Sequence, residues 1–417
     1  MDVLTHSILP FAGILIGLIV IHELGHYVTA KMFGVKVLEA GLGYPPRLWG
    51  FKWRDTEYTV NALPLGGFVR LLGEEDPSDA QSLAAHPKWQ RAVVLGSGAF
   101  MNLVLAIALF SVALTIPREV SAGGAQIGGV APGSPAANAD VRAGDMIFAV
   151  NGRRAESVQD AAYLIRLYQG SDVELTLKRR DPRSGTETVT KEVYARWNPR
   201  PYTDECGLKR SQGPMGITIG PSFGQFVPFT QAERAELERA AEKERQRLRD
   251  EVAQGSPESC YDVSVPSNKF VAFTATRSEP PWEAIPHGTR LSFESLILAR
   301  NQVWGWVRGF TTPQVHGPVG IAQATGEVVD EAGWKSLIDF AALLSMNLAV
   351  LNILPIPMFD GGRLVFVLIE FLRRGRRIAP QKEALVHLAG LVMILTLAAV
   401  ITYFDVLRIF RGDSLLR

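Results

Sequence analysis

The residues with the clearest capacity for chemistry are His22, Glu23 and His26, in the run His22-Glu23-Leu24-Gly25-His26. On a helix, side chains four apart leave from one face, one turn above the other. Two imidazoles at that spacing suit a single zinc ion, and a carboxylate beside them suits proton transfer. A hydrolytic zinc site takes three protein ligands and keeps a fourth position open. The third ligand must therefore come from elsewhere. Asp360 fits: it follows a charge-free stretch at a proline interruption, and Gly361 and Gly362 let backbone approach closely. Asn347 and Asn352, a little upstream, are polar where polarity also needs a reason.

The elements that must position these groups have membrane length. Residues 9–30 carry one formal charge, Glu23, and place the histidine pair toward the C-terminal end of a span. An ionisable group at the centre of a span costs about 2.5–3.5 kcal/mol, a cost normally tolerated for function. Residues 92–116 carry no charge. They include Gly96-Ser97-Gly98, small residues that allow close helix approach, and Asn102, for which structural and site-shaping roles both stand open. Residues 340–359 are charge-free but broken by Pro355 and Pro357, and the apolar pattern resumes at 364–369. Such a break is tolerated where protein or a cavity satisfies the freed backbone. Residues 384–404 form the last span, with His387 an interfacial polar residue rather than a ligand.

The 417 residues have a formal net charge of +1, which implies no nucleic-acid partner. Their hydrophobic share of 47% hides a segregated chain, with apolar runs around a charged middle. A first transmembrane helix (1–30) leads into a Lys- and Arg-bearing loop of strand-like hairpins (31–91), cytoplasmic by its charge. A second transmembrane helix (92–117) precedes a compact α+β insert (118–222), in which Ser134 caps a short helix and Asn151-Gly152 makes a hairpin turn. Then come a solvated charged helix and a Pro- and Ser-rich linker (223–290), and a Trp-bearing membrane-surface helix with a re-entry segment (291–336). A third, broken transmembrane helix (337–372), a basic cytoplasmic turn (373–383) and a fourth transmembrane helix with its tail (384–417) complete the chain. Glu74, Glu75 and Asp76 read as a solvated acidic turn. Cys206 and Cys260 fall in the middle region, and pairing and two free thiols are both open.

Taken together, these features resemble the bacterial site-2 proteases, intramembrane zinc metalloproteases of peptidase family M50 of the regulator of sigma-E protease type. The resemblance rests on His22-Glu23-Leu24-Gly25-His26, on Pro64-Leu65-Gly66-Gly67-Phe68-Val69, on Pro132-Gly133-Ser134-Pro135-Ala136 with Gly144-Asp145, and on His316-Gly317-Pro318-Val319-Gly320. It ends with Asn352-Ile353-Leu354-Pro355-Ile356-Pro357-Met358-Phe359-Asp360-Gly361-Gly362. It implies a polytopic α-helical membrane protein with four transmembrane helices. It also implies a cytoplasmic, membrane-associated β-hairpin and an inserted extracytoplasmic PDZ domain. His22, His26 and Asp360 would hold one zinc ion, with Glu23 as base. Asn352, Asn102 and Gly66-Gly67-Phe68 would meet substrate, and Met215-Gly216-Ile217 resembles the loop lining the PDZ groove. The implied substrate is a single-span membrane protein, an anti-sigma factor or signal-peptide remnant, cut in the bilayer of the bacterial inner membrane with the active site toward the cytoplasm. One departure is Ala99, where relatives often have Pro between the matching Gly98 and Asn102. Two other classes stand beside this one: a proteolytically silent membrane scaffold, against which the full catalytic set argues, and a transporter, which would want paired broken helices.

Overall fold

The apolar runs form long helices. The computed structural model describes residues 3–74, 76–121, 123–181, 185–199, 201–203, 209–210, 212–251, 265–310 and 317–411. After a π-helical turn, Val3–Ile8, helix α1 spans Leu9–Phe33, running past the expected end at residue 30. Pro10 stands in its first turn, and Gly34 closes it in the left-handed conformation (φ 80°). Strands β1 (Val37–Trp53) and β2 (Thr56–Leu71) follow, then α2 (Lys88–Thr115) behind Pro87. The middle of the chain holds β3 (Arg118–Ser121), β4 (Ala125–Val130), α3 (Pro135–Asn138), β5 (Met146–Val150), β6 (Arg153–Arg154) and α4 (Val158–Leu167). It continues with β7 (Asp172–Asp181), β8 (Gly185–Tyr194), β9 (Tyr202–Thr203), β10 (Lys209–Arg210), β11 (Ile217–Pro221), β12 (Gly224–Pro228) and α5 (Gln231–Glu251). Then come β13 (Asn268–Ala272), β14 (Thr274–Arg277), α6 (Pro281–Val307), α7 (Pro318–Ala332), α8 (Ser336–Ile353), α9 (Asp360–Leu372) and α10 (Pro380–Arg411).

The chain divides into two compact units: Met1–Ile116 with Glu279–Leu296 and Gln314–Arg417, and Pro117–Ser278 with Ile297–Pro313. Among the described residues, the first contains four helices long and apolar enough to cross a membrane, within Leu4–Phe33, Lys88–Thr115, Ser336–Ile353 and Pro380–Leu407. The break expected near Pro355 and Pro357 separates α8 from α9, with the left-handed Met358 (φ 87°) inside it.

The loop expected to hold several hairpins is instead two long strands folded across one another. Glu39, Ala40, Gly41 and Leu42 each have two partners: Arg70, Val69, Phe68 and Gly67 on one side, and Glu57, Tyr58, Thr59 and Val60 on the other. The run 67–70 thus lies outermost on its side of the sheet. Glu74 pairs with Arg363 of α9 at 2.7 Å, so it is not a purely solvated turn residue; Glu75 lies outside the described residues.

The second unit is built on a six-stranded sheet in the order β11-β4-β5-β7-β8, with β6 on β5. Alternate residues Val173, Leu175 and Leu177 of β7 are fully buried and pack with Ile127, Ile147, Leu164 and Ile165. Ser134 and Ser157 cap α3 and α4 by accepting the N–H groups of Ala137 and Asp160. The charged stretch is the helix α5, with Arg234–Glu238, Arg245–Glu242 and Arg247–Glu244 ion pairs along it.

Two boundaries differ from expectation. The linker expected through 290 contains β13, which pairs with β12, and β14, which pairs with β3. The helix expected to start at 291 begins at Pro281, because a proline in the first turn gives up only an N–H that has no intrahelical partner. Cys206, Cys260 and His316 lie outside the described residues.

Candidate metal centre

Helices α1 and α9 bring His22, His26 and Asp360 together. His22 Nε2 and His26 Nε2 stand 3.2 Å apart, and each is 3.2 Å from Asp360 Oδ2. Three atoms at these separations outline one face of a tetrahedron. Ligands bound tetrahedrally at about 2.0–2.1 Å stand about 3.3 Å from one another. Asp360 Oδ2 is buried yet completes no hydrogen bond, the condition of an atom arranged for something other than a proton donor.

The ring orientations are set from behind. His26 Nδ1 lies 2.8 Å from the Val94 carbonyl of α2, which can only accept; Nδ1 therefore carries the proton and Nε2 is left bare. On His22 the partner is Asn102 of α2, whose amide nitrogen is placed 3.3 Å from Nδ1 while its Oδ1 is buried without a partner. With the two amide atoms exchanged, Oδ1 accepts from Nδ1–H, and His22 Nε2 is bare as well. Ser345 of α8 holds the Asn102 carbonyl with a hydrogen bond of 2.7 Å.

The close approach of the helices depends on missing side chains. A Cβ on Gly98 would stand 2.7 Å from His22 Nε2 and would strike His26 Nε2 as well, so this glycine keeps open the space over the two nitrogens. A Cβ on Gly361 would collide with the Leu354 and Ile353 carbonyls, and one on Gly362 with that of Ile356. These glycines let the first turn of α9 close against the broken strand of chain that precedes it. The donor set, the bare nitrogens and the preserved space all fit a zinc ion.

Glu23, next to His22 on α1, interacts electrostatically with His22, His26 and Asp360, accepts a hydrogen bond from the Val69 N–H, and lines a groove of about 360 Å³ between α1 and the sheet, with Leu24, Tyr27, Gly67, Phe68 and Val69 among its walls. Gly67 is the point of contact: a Cβ there would stand 3.3 Å from Glu23 Cγ and 3.0 Å from Ile19 Cγ2. Gly66 adjoins it in β2, and the Phe68 ring covers Gly41.

Two expected substrate contacts, Asn102 and Met215, read differently. Asn102 is fully buried behind His22 and holds a ligand instead of meeting substrate. Met215 is 1% exposed and belongs to the core of the second unit, so it contacts no ligand. Gly216 makes a left-handed turn (φ 79°), and Ile217, half-buried, opens β11, whose recorded partner is β4 on one side. Asn352 stands half-buried in the last turn of α8, outside the ligand cluster. Val94 and Gly98 were not singled out from sequence as site groups: one acts through its carbonyl, which any residue has. Gly98 carried a signal as a small residue in a span and as a match to relatives beside Asn102, but not as the residue that keeps space over the two histidines.

The profile of the family described as "Peptidase family M50" matches residues 10–397, nearly the whole chain. The chain belongs to peptidase family M50. Its similar relatives include proteins named "Putative zinc metalloprotease" from Clostridium perfringens, 33% identical over 393 residues (94% of this chain, 95% of the relative). Others are from Agrobacterium fabrum, 27% identical over 420 residues (97% and 96%), and Thermotoga maritima, 26% identical over 502 residues (96% and 98%). As an M50 peptidase the chain is a zinc metalloprotease, and its four apolar helices make it a membrane protein. The scaffold and transporter classes fall away with that membership.

Proposed function

We propose that this M50 peptidase cuts a peptide bond within or near the transmembrane segment of a single-span membrane protein. The observation that carries the reading is that His22, His26 and the carboxylate of Glu23 sit on α1, an apolar helix of membrane length, and that Asp360 joins the two histidines from the first turn of α9, just past the broken end of the apolar α8. Bound zinc supplies a Lewis acid that acidifies water and polarises a carbonyl. Glu23 takes the proton of the attacking water and returns it to the leaving amine. A substrate helix has its carbonyls bonded within the segment and must be partly unwound before attack. The hairpin at 57–72 supports this step: Gly67 of β2 lies against Glu23, and an extended substrate segment is held beside that carboxylate by strand addition. Asn352, at the end of α8, positions that segment.

The second unit serves as the PDZ domain, its groove beside Gly216 and β11, and limits which outer domains reach the membrane site. The Lys- and Arg-rich loop 31–91 and turn 373–383 support a cytoplasmic side for the metal centre and an extracytoplasmic side for the PDZ domain, in the bacterial inner membrane. The substrate class is an anti-sigma factor or a signal-peptide remnant. Membrane proteomics of cells carrying wild type or Glu23→Gln tests this. Single-span proteins lacking their outer domains accumulate in the variant if the proposal holds; identical membrane proteomes, with zinc retained in both, would overturn it.

A further inference from the structure

A groove opens on the outer face of the helix pair α2 and α9, at the end where both meet charged chain. It encloses about 770 Å³, and its walls include Trp89 and Ala92 of α2 with Leu364, Val367, Leu368 and Phe371 of α9. From Leu364 to Phe371 it follows two helical turns, about 10 Å. The polar side chains at its edge are engaged elsewhere. The His86 nitrogens face the Ser82 and Phe33 carbonyls at 2.8 and 3.1 Å. Glu370 is held by Arg91 at 2.6 Å and by Arg377 at 3.3 Å.

The mouth of the groove is positive. Lys88 Nζ lies 5.9 Å from the centre of the Phe371 ring and 3.6 Å from where a Cβ on Gly375 would stand. Gly375 is the middle of Arg373-Arg374-Gly375-Arg376-Arg377, so this ammonium group sits against the basic turn. Arg373, Arg374 and Arg376 are exposed, and among the described residues no ion pair is recorded for them or for Lys88.

Charge and shape together select the occupant. A soluble anion engages the cations and leaves the apolar walls bare; a neutral apolar molecule fills the groove and ignores the cations. An anionic phospholipid uses both, with its phosphate at the basic turn and an acyl chain along the helices. We propose that the groove between α2 and α9 is a binding site for an anionic glycerophospholipid. The same two helices carry Asn102 and Asp360 on the side of the metal centre, so the lipid bridges from outside the pair that builds the centre from within.

The test uses the full chain, delipidated in neutral detergent and re-exposed to defined mixtures of phosphatidylglycerol and phosphatidylcholine. Bound lipid is counted by native mass spectrometry, with zinc content and monodispersity as controls for folding. Wild type retains one phosphatidylglycerol in preference to phosphatidylcholine. Each basic residue at an anionic surface contributes about a fivefold factor, so K88Q/R373Q/R374Q loses that preference by about a hundredfold. A92F, which fills the groove and leaves the cations in place, loses retention of both lipids. R234Q/R239Q/R247Q, an equal charge change on α5, leaves retention unaltered. Undiminished preference in the first variant, undiminished retention in the second or equal loss in the third would overturn the proposal. So would displacement of the lipid by inorganic phosphate alone, which would make the site one for a free anion.

Discussion

Each side chain in the metal centre has one task, and the tasks separate experimentally. Glu23 lies outside the three-atom cluster, so Glu23→Gln should keep zinc near one per chain by elemental analysis. Cleavage of a model single-span substrate in detergent should fall by about 10²–10⁴-fold, the range for losing a general acid–base group. Asn102 makes a different prediction. With no exposure to substrate, it acts by fixing the tautomer and tilt of His22. Asn102→Leu should weaken zinc binding by about 10–100-fold in chelator competition, whereas Asn102→Asp, which still accepts from Nδ1–H, should keep most of the affinity. Equal affinity in Asn102→Leu would mean that the amide does not orient the ring.

Whole elements reach the centre through α2, which supplies no ligand and yet touches both histidines. Gly98→Val should therefore abolish zinc binding while helical circular dichroism stays at the wild-type value, because the added carbons occupy the space over the two nitrogens. At the far end of α9, Glu370 joins Arg91 of α2 in a buried pair with side chains 7% and 10% exposed. Removing one partner strands a buried charge at a cost of about 3–5 kcal/mol, while a shape-matched apolar pair is often neutral. Glu370→Met should thus lower thermal stability more than Arg91→Met/Glu370→Met does. These cross-helix dependencies mark the limit of what the sequence discloses. His22 and His26 were legible because their relation is local, one helical turn, and Asp360 because a carboxylate at the break of a span is rare. The Val94 carbonyl and the Arg91–Glu370 pair were invisible, since they arise from how α2 lies against α1 and α9. Strand β14 was misread for the same reason: Thr274–Arg277 has a linker-like composition, and its partner is Arg118–Ser121, far back along the chain.

The two units of the molecule are held by different chemistry, and their failures should be separable in one experiment. In the second unit, Arg179 grips both oxygens of Asp145 at 2.8 Å, and the Arg142 N–H donates to it at 2.9 Å. Burial pushes the Asp145 carboxyl up, but these donors more than offset it and hold its pKa below the ordinary carboxylate value. A carboxyl lowered by folding contributes stability that is complete above the unfolded value, about 3.9, and is lost as the pH falls through the folded one. In the first unit, zinc held by His22, His26 and Asp360 would join α1 to α9. Zinc at a thousandfold excess over its dissociation constant stabilises the folded state by about 4 kcal/mol, present only while the metal is bound. Chelation at pH 7 should therefore raise hydrogen exchange in residues 20–30 and 360–370 and leave β7 protected. A shift to about pH 3 in Asp145→Asn and wild type reads the other device: β7 protection relative to the intrinsic exchange rate at each pH should fall with acid in the wild type, while Asp145→Asn should already be less protected at pH 7 and change less on acidification. A chelation response in β7 equal to that in α1 would mean that zinc stabilises the chain as one cooperative body.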